Sequence, residues 1–200
     1  MTAAVLAGLL AGYGIAIPVG PVGAYLVALT ARSGWRTGAA GALGVATVDG
    51  GYALVAVVGG SALAAVLAPA EPVLRWVAVL LLVVLGARTV LSATSTGMAD
   101  VASAAPWRTY ANLVGLTAVN PTTVIYFVAL VVGSAADRTV AEHAAFVVAA
   151  FVASASWQLL LAGGGALLGR AVSGPRGRRL TAVASGLVML ALAVRMATSG

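Results

Sequence analysis

Asp49 is the only charged side chain in a run of apolar residues from 38 to 67, and it stands eleven residues in. A buried carboxylate in a membrane helix costs about 2.5–3.5 kcal/mol on insertion scales, and such residues mark transport paths or proton relays. A structural alternative is that Asp49 caps a broken helix or bonds Tyr52 one turn along. Two helix-breaking clusters share its depth: Pro18, Gly20 and Pro21 in "AIPVGPVGAY", and Asn120-Pro121 in "TAVNPTT". Each proline removes a backbone donor and crowds the carbonyl one turn earlier, which costs about 3 kcal/mol inside a helix. The freed backbone groups at that depth can face only protein, water or a ligand. A half-helix starting at Gly20-Pro21 presents a positive dipole end and unpaired N–H groups suited to a carboxylate, and one after Asn120-Pro121 offers a second. Asp49 would then hold an ammonium group or exchange a proton, so a zwitterion fits the set.

Ser154, Ser156, Trp157 and Gln158 lie at the same level of a later apolar run. Gln158 is a polar candidate for the site. Trp157 and Tyr126 are aromatic candidates, weighed against plain packing or lipid-facing roles. The small residues at 34, 38, 41, 42 and 44 in "GWRTGAAGALG" read as close helix packing without chemistry. Cys is absent and His143 is the only His, which removes disulfides, thiolate chemistry and a His-based metal site within one chain. No paired carboxylates gather, so no general acid–base pair is evident and an enzyme is not expected. Neither a metal nor a cofactor is implied.

The elements that must position these residues follow from composition. Of 200 residues, 62% are hydrophobic and 8% charged, far from the quarter or so of charged residues usual in soluble domains. Apolar segments of about 20 residues recur, the length that crosses a bilayer as helix. The expected fold is an all-α integral membrane protein with six spans near 3–31, 38–67, 73–91, 109–133, 142–169 and 180–197, forming one membrane domain over 1–200. The start "MTAAVLAGLL" carries no basic segment and reads as a retained first helix. The net charge of +6 comes from arginines alone and lies mainly in short connections, a pattern that sets topology and does not point to nucleic acid. Arg32, Arg36, Arg88, Arg108, Arg170, Arg176, Arg178 and Arg179 border the first, third and fifth connections; only Arg75, Arg138 and Arg195 fall on the other side. Odd connections are therefore expected in the cytoplasm and both termini outside.

Two groups of three spans, 1–95 and 107–200, must enter the membrane in opposite directions because three is odd, which is an inverted repeat. "YLVAL" at 25–29 recurs as "YFVAL" at 126–130, each after a proline-interrupted turn, and glycines recur late in each second helix. Spans three and six lack breaks and read as scaffold.

"IPVGPVGAYLVALTARSGWRTGAAGALGVATVDGGYALVAVVGG" resembles the first-half signature of the lysine exporter (LysE) family of bacterial amino-acid exporters, through Gly20-Pro21, Gly34, Gly38, Gly44 and Asp49. "NLVGLTAVNPTTVIYFVAL" resembles that family's second-half Asn-Pro segment. Val19 replaces the first proline of the common turn, giving a "PVGP" variant, and Thr122 stands where many relatives carry Lys. The resemblance implies a secondary exporter of an amino acid or similar solute in the bacterial cytoplasmic membrane, driven by the proton gradient; Asp49, as the one deep carboxylate, is the candidate for proton coupling. Its partners would be a small-molecule substrate, protons and membrane lipids, with a homo-oligomer compatible. Two other readings of the polar level are an ion or small-solute channel or permeability protein, and a structural membrane subunit. A polar level bounded by apolar faces favours the exporter over both.

Overall fold

The computed structural model describes residues 1–18, 20–67, 105–120 and 139–171 without interruption. It also describes positions 69, 72–73, 76–77, 79–80, 83–84, 87, 90–91, 123, 126, 183, 187, 190–191, 193–194 and 197–198. Every regular element among the described residues is helical.

The first expected span is two helices. α1 (Thr2–Ala16) ends just before Pro18, and α2 (Pro21–Ser33) begins at a proline, whose fixed φ suits the first helical turn. Between them Gly20 is extended, with φ −93° and ψ −168°. α2 stops at Gly34, whose φ of +83° is open to glycine and strained for other residues, and α3 (Trp35–Leu67) starts at the next residue. The reversal brings Gly38 so close to Thr30 that a Cβ at 38 would overlap the Thr30 side chain. α4 (Pro106–Ala118) also opens on a proline and stops short of Asn120. α5 (Val140–Ala171) is capped by Thr139 and Glu142: the Thr139 N–H donates to Glu142 Oε2 at 3.1 Å, and the Glu142 N–H donates to Thr139 Oγ1 at 3.4 Å.

Among the described residues two helices, over Trp35–Gly59 and Val140–Gly169, are long and apolar enough to cross a membrane. α3 alone, at 33 residues, extends about 50 Å. Large apolar side chains such as Leu6, Leu10, Val58, Leu160 and Leu167 are exposed, whereas the buried positions are dominated by Ala, Gly, Ser and Thr. Small residues inside and leucines outside are what helix packing in lipid requires, because lipid gives no hydrophobic drive and backbones must approach closely.

Glycines set the register. A Cβ at Gly8 or Gly12 of α1 would run into the Phe146 or Ala150 carbonyl of α5, and one at Gly165 or Gly169 of α5 would meet the Val27 or Ala31 carbonyl of α2. α1 and α2 thus lie along α5 and run parallel to it. Gly41 and Gly44 of α3 pack on Thr109 and Tyr110 of α4, and Tyr52 donates to the Ala118 carbonyl at 2.7 Å, so α3 and α4 are also parallel. α3 and α5 run antiparallel and meet where Gly50 packs on Phe151. The first broken helix therefore packs against α5, and α4 packs against α3. Val79 of the third expected span packs on Ala193 of the sixth. The connections at 92–104 and 172–182, and most of spans three and six, lie outside the described residues.

Candidate functional site

Asp49 sits near the middle of α3, 3% exposed, facing α5. Its partner is Ser154: the Ser154 hydroxyl donates to Asp49 Oδ2 at 2.6 Å, a length typical of a hydroxyl on a carboxylate. Tyr52, one turn along, donates its hydroxyl to the Ala118 carbonyl at 2.7 Å. One turn beyond Ser154 on the same face of α5 comes Gln158, 5% exposed, whose Oε1 has no hydrogen-bond partner among the described residues.

Asp49 and Gln158 are among the residues that line a cavity of about 50 Å³. The first helix break supplies Pro18 and Gly20, and the second supplies Asn120. α4 contributes Thr117, 1% exposed, with an Oγ1 that also lacks a partner among the described residues. Ile15, Ala16, Val22 and Val45 form the apolar wall. At the second break the Asn120 Nδ2 donates to Thr123 Oγ1 at 3.2 Å, and the Thr123 N–H donates to the Asn120 carbonyl at 3.1 Å. Asn120 thereby closes a turn onto Thr123 through both its side chain and its carbonyl. At the first break α2 has no side-chain cap. Its first closed turn is the Ala24 N–H on the Gly20 carbonyl at 3.0 Å, so the amides of Val22 and Gly23 begin the helix beside the cavity.

Apolar clusters flank the cavity along the bundle axis. On one side Ala11, Ala53, Ala56, Phe146 and Ala150 pack together with Tyr52 and Tyr126 at their border. On the other, Val22, Val45, Leu113 and Leu116 close the space between α2, α3 and α4.

Of the residues expected from sequence, Pro18, Gly20, Asp49, Asn120 and Gln158 line this one space. Pro21 starts α2 beside it, and Pro121 lies outside the described residues. Two aromatic candidates fall elsewhere. Tyr126 donates to the Ala11 carbonyl at 2.8 Å and fills the space over Gly14, where it braces α1 and does not line the cavity. Trp157 is half-buried, its Nε1 has no hydrogen-bond partner among the described residues, and it is not among the residues that line the cavity. Ser154, which holds Asp49, and Thr117, which lines the cavity, are the additions: the sequence marks Ser154 only by its depth, and Thr117 carries no signal beyond its place three residues before Asn120. Among the described residues no three His, Cys, Asp or Glu side chains gather as a metal site.

Comparison with known proteins gives one match. The family model described as LysE type translocator matches residues 14–200. No curated protein and no solved structure matches the chain.

Proposed function

We propose a proton-coupled exporter of a small zwitterionic solute, and the premise is established: the chain belongs to the LysE type translocator family. Membership makes it a membrane transport protein. The finer reading rests on one observation above the rest. Two helix breaks meet at a cavity lined, among the described residues, by one buried carboxylate, Asp49, and apolar clusters lie on both sides of it.

A substrate ammonium would sit at Asp49 and a substrate carboxylate at the start of α2, where the helix dipole and free amides favour an anion. Asp49 can carry a proton or face a substrate cation. Because one state excludes the other, inward proton movement and outward solute movement become exchange at one oxygen pair. At 50 Å³ the cavity is well below the ~300 Å³ at the lower end of ordinary ligand pockets, so this conformation is contracted and loading requires α1–α2 or α4 to move. Apolar packing on both sides of the polar level supports alternating access over a continuous channel.

The six-span arrangement of two inverted three-helix repeats, 1–95 and 107–200, belongs to the same proposal. It is supported by the opposite directions of α3 and α5 and by each broken helix packing against the other half's second helix. Arg32, Arg36 and Arg108 fall at the end of the bundle where α2 turns into α3 and α4 begins. The opposite end carries the Met1 ammonium paired with Glu142 Oε1 at 3.0 Å. That distribution favours the arginine end in the bacterial cytoplasm and both termini outside.

Efflux from loaded vesicles across an amino-acid panel, with and without an imposed proton gradient, tests the proposal. Gradient-stimulated efflux of a zwitterion supports it. Ion conductance without solute efflux would replace it with the channel reading.

A further inference from the structure

One turn of α3 touches both neighbouring helices beside the cavity. Asp49 accepts from the Ser154 hydroxyl of α5 at 2.6 Å, Gly50 packs on Phe151 of α5, and Tyr52 donates to the Ala118 carbonyl of α4 at 2.7 Å. Ala118 is the last residue of α4, where helix carbonyls lack a partner from their own helix. It stands between Thr117 and Asn120, two residues that line the cavity. The N–H groups of Val119 and Asn120 turn back to the Gly115 and Thr117 carbonyls, and Pro121 has no N–H to offer. Tyr52 thus brings a donor to the second break from the helix that carries Asp49.

Gly51 lies inside the same turn. Glycine in a helix interior is destabilising relative to alanine, and the usual compensation is a neighbour so close that a methyl group has no room. Gly50 has that reason, because its Cβ would meet the Phe151 side chain at 3.2 Å. Gly51 does not, since a Cβ there would meet nothing within 4 Å. A glycine without a packing role still gives the helix a backbone that bends at lower cost.

We infer that Tyr52 is a positioning residue of the transport site: it ties the second helix break to the Asp49 turn of α3, and Gly51 lets that turn move, so that Asp49 is uncovered as the break shifts. The role rests on the exporter reading, in which the cavity must widen to load. Tyr126 makes a bond of the same kind, at 2.8 Å to the Ala11 carbonyl, but Ala11 lies inside α1 and away from the second break. Its variant is therefore the matched comparison.

The test is the rate at which a membrane-soluble reagent, dicyclohexylcarbodiimide, modifies Asp49 in the full-length protein in proteoliposomes, read by peptide mass across a pH series. The reagent is far larger than a 50 Å³ cavity, so it reaches Asp49 only when the site widens. Tyr52→Phe is expected to react about fivefold faster at every pH, because the break is no longer held. Gly51→Ala is expected to react about fivefold slower, with a Tm equal to the parent's or up to about 4 °C higher. Tyr126→Phe and Gly164→Ala should stay within about twofold of the parent. Parent rates in both folded variants of the turn overturn the inference, as does equal acceleration in Tyr52→Phe and Tyr126→Phe. A shifted pH midpoint at an unchanged maximal rate also overturns it, since Tyr52 would then act on the Asp49 charge and not on the break. If Tyr52→Phe does not fold, Gly51→Ala decides alone, and the parent rate in it overturns the inference. A folded parent whose Asp49 is never modified at any pH does the same, because no widening then uncovers Asp49. Labelling needs no solute, so absence of efflux across the amino-acid panel would remove the exporter reading and leave the link from Tyr52 to Asp49 exposure standing.

Discussion

Replacing Asp49 by Asn removes a charge and keeps an oxygen where Ser154 donates. The existing 2.6 Å bond is of the charge-assisted kind, worth about 1.5–3 kcal/mol, and its neutral replacement about 0.5–1.5 kcal/mol. The difference is about 1 kcal/mol, which for a chain of this length moves Tm by about 2–4 °C. Ser154→Ala is harsher on the fold, because it leaves the Asp49 oxygen buried without its donor. About 2 kcal/mol, or a Tm fall of about 4–8 °C, is expected. Function reverses the order. Asp49→Asn can hold neither a proton nor a substrate cation and should lose gradient-driven efflux completely, whereas Ser154→Ala keeps the carboxylate and should keep reduced efflux. Thermal melts of the purified proteins and pH-gradient-driven efflux from loaded vesicles provide the two readouts. The double variant should be less destabilised than the sum of the singles, since both remove one shared bond. Gradient-driven efflux at the parent rate in a folded Asp49→Asn protein would refute the reasoning and leave Asp49 as a structural partner of Ser154.

Single cysteines in this cysteine-free chain should report orientation. Ser33→Cys, at the α2–α3 turn, should resist an impermeant thiol reagent added outside, and Val140→Cys, 86% exposed at the start of α5, should react; the reverse pattern inverts the topology. Gly12→Ala should lose about 1–3 kcal/mol because its Cβ meets the Ala150 carbonyl, lowering Tm by about 2–12 °C. Gly164→Ala has open space around its Cβ and should be neutral or stabilising by up to about 1 kcal/mol, and equal melting losses for the two would sink the packing account. Tyr126→Phe removes the bond to the Ala11 carbonyl and should cost about 0.5–1.5 kcal/mol while efflux kinetics stay near the parent's; a large rise in half-saturating substrate would return Tyr126 to the site.

The breaks were legible because proline and glycine act through the backbone, which needs no knowledge of neighbours: Pro18, Gly20 and Pro21 end one helix and start the next wherever they fall. Asp49 was legible because a single charge in an apolar run has few tolerable locations. The faces of α5 were not, since a helix apolar nearly all round gives no stripe from which to tell Trp157 from Gln158. Thr117 was hidden for another reason. A threonine in an apolar helix commonly turns its hydroxyl back to the carbonyl four residues earlier, as Thr30 does to Leu26 at 2.7 Å and Thr47 to Leu43 at 2.8 Å. Only the assembled bundle distinguishes one that does not. The roles of Tyr126 and Trp157 were not legible because aromatic size suits packing and binding equally, and the carbonyl that accepts from Tyr126 is 115 residues away in sequence.

Gly34 is the whole connection between α2 and α3. A single residue spans at most about 3.6 Å, so the last turn of α2 and the first turn of α3 are leashed together at that end of the bundle. At the opposite end, where α2 begins and α3 finishes, no short segment joins them. Any rocking that parts α2 from α3 therefore works as a pair of tongs with Gly34 as its pin: wide at the far tips and held close where α2 turns into α3.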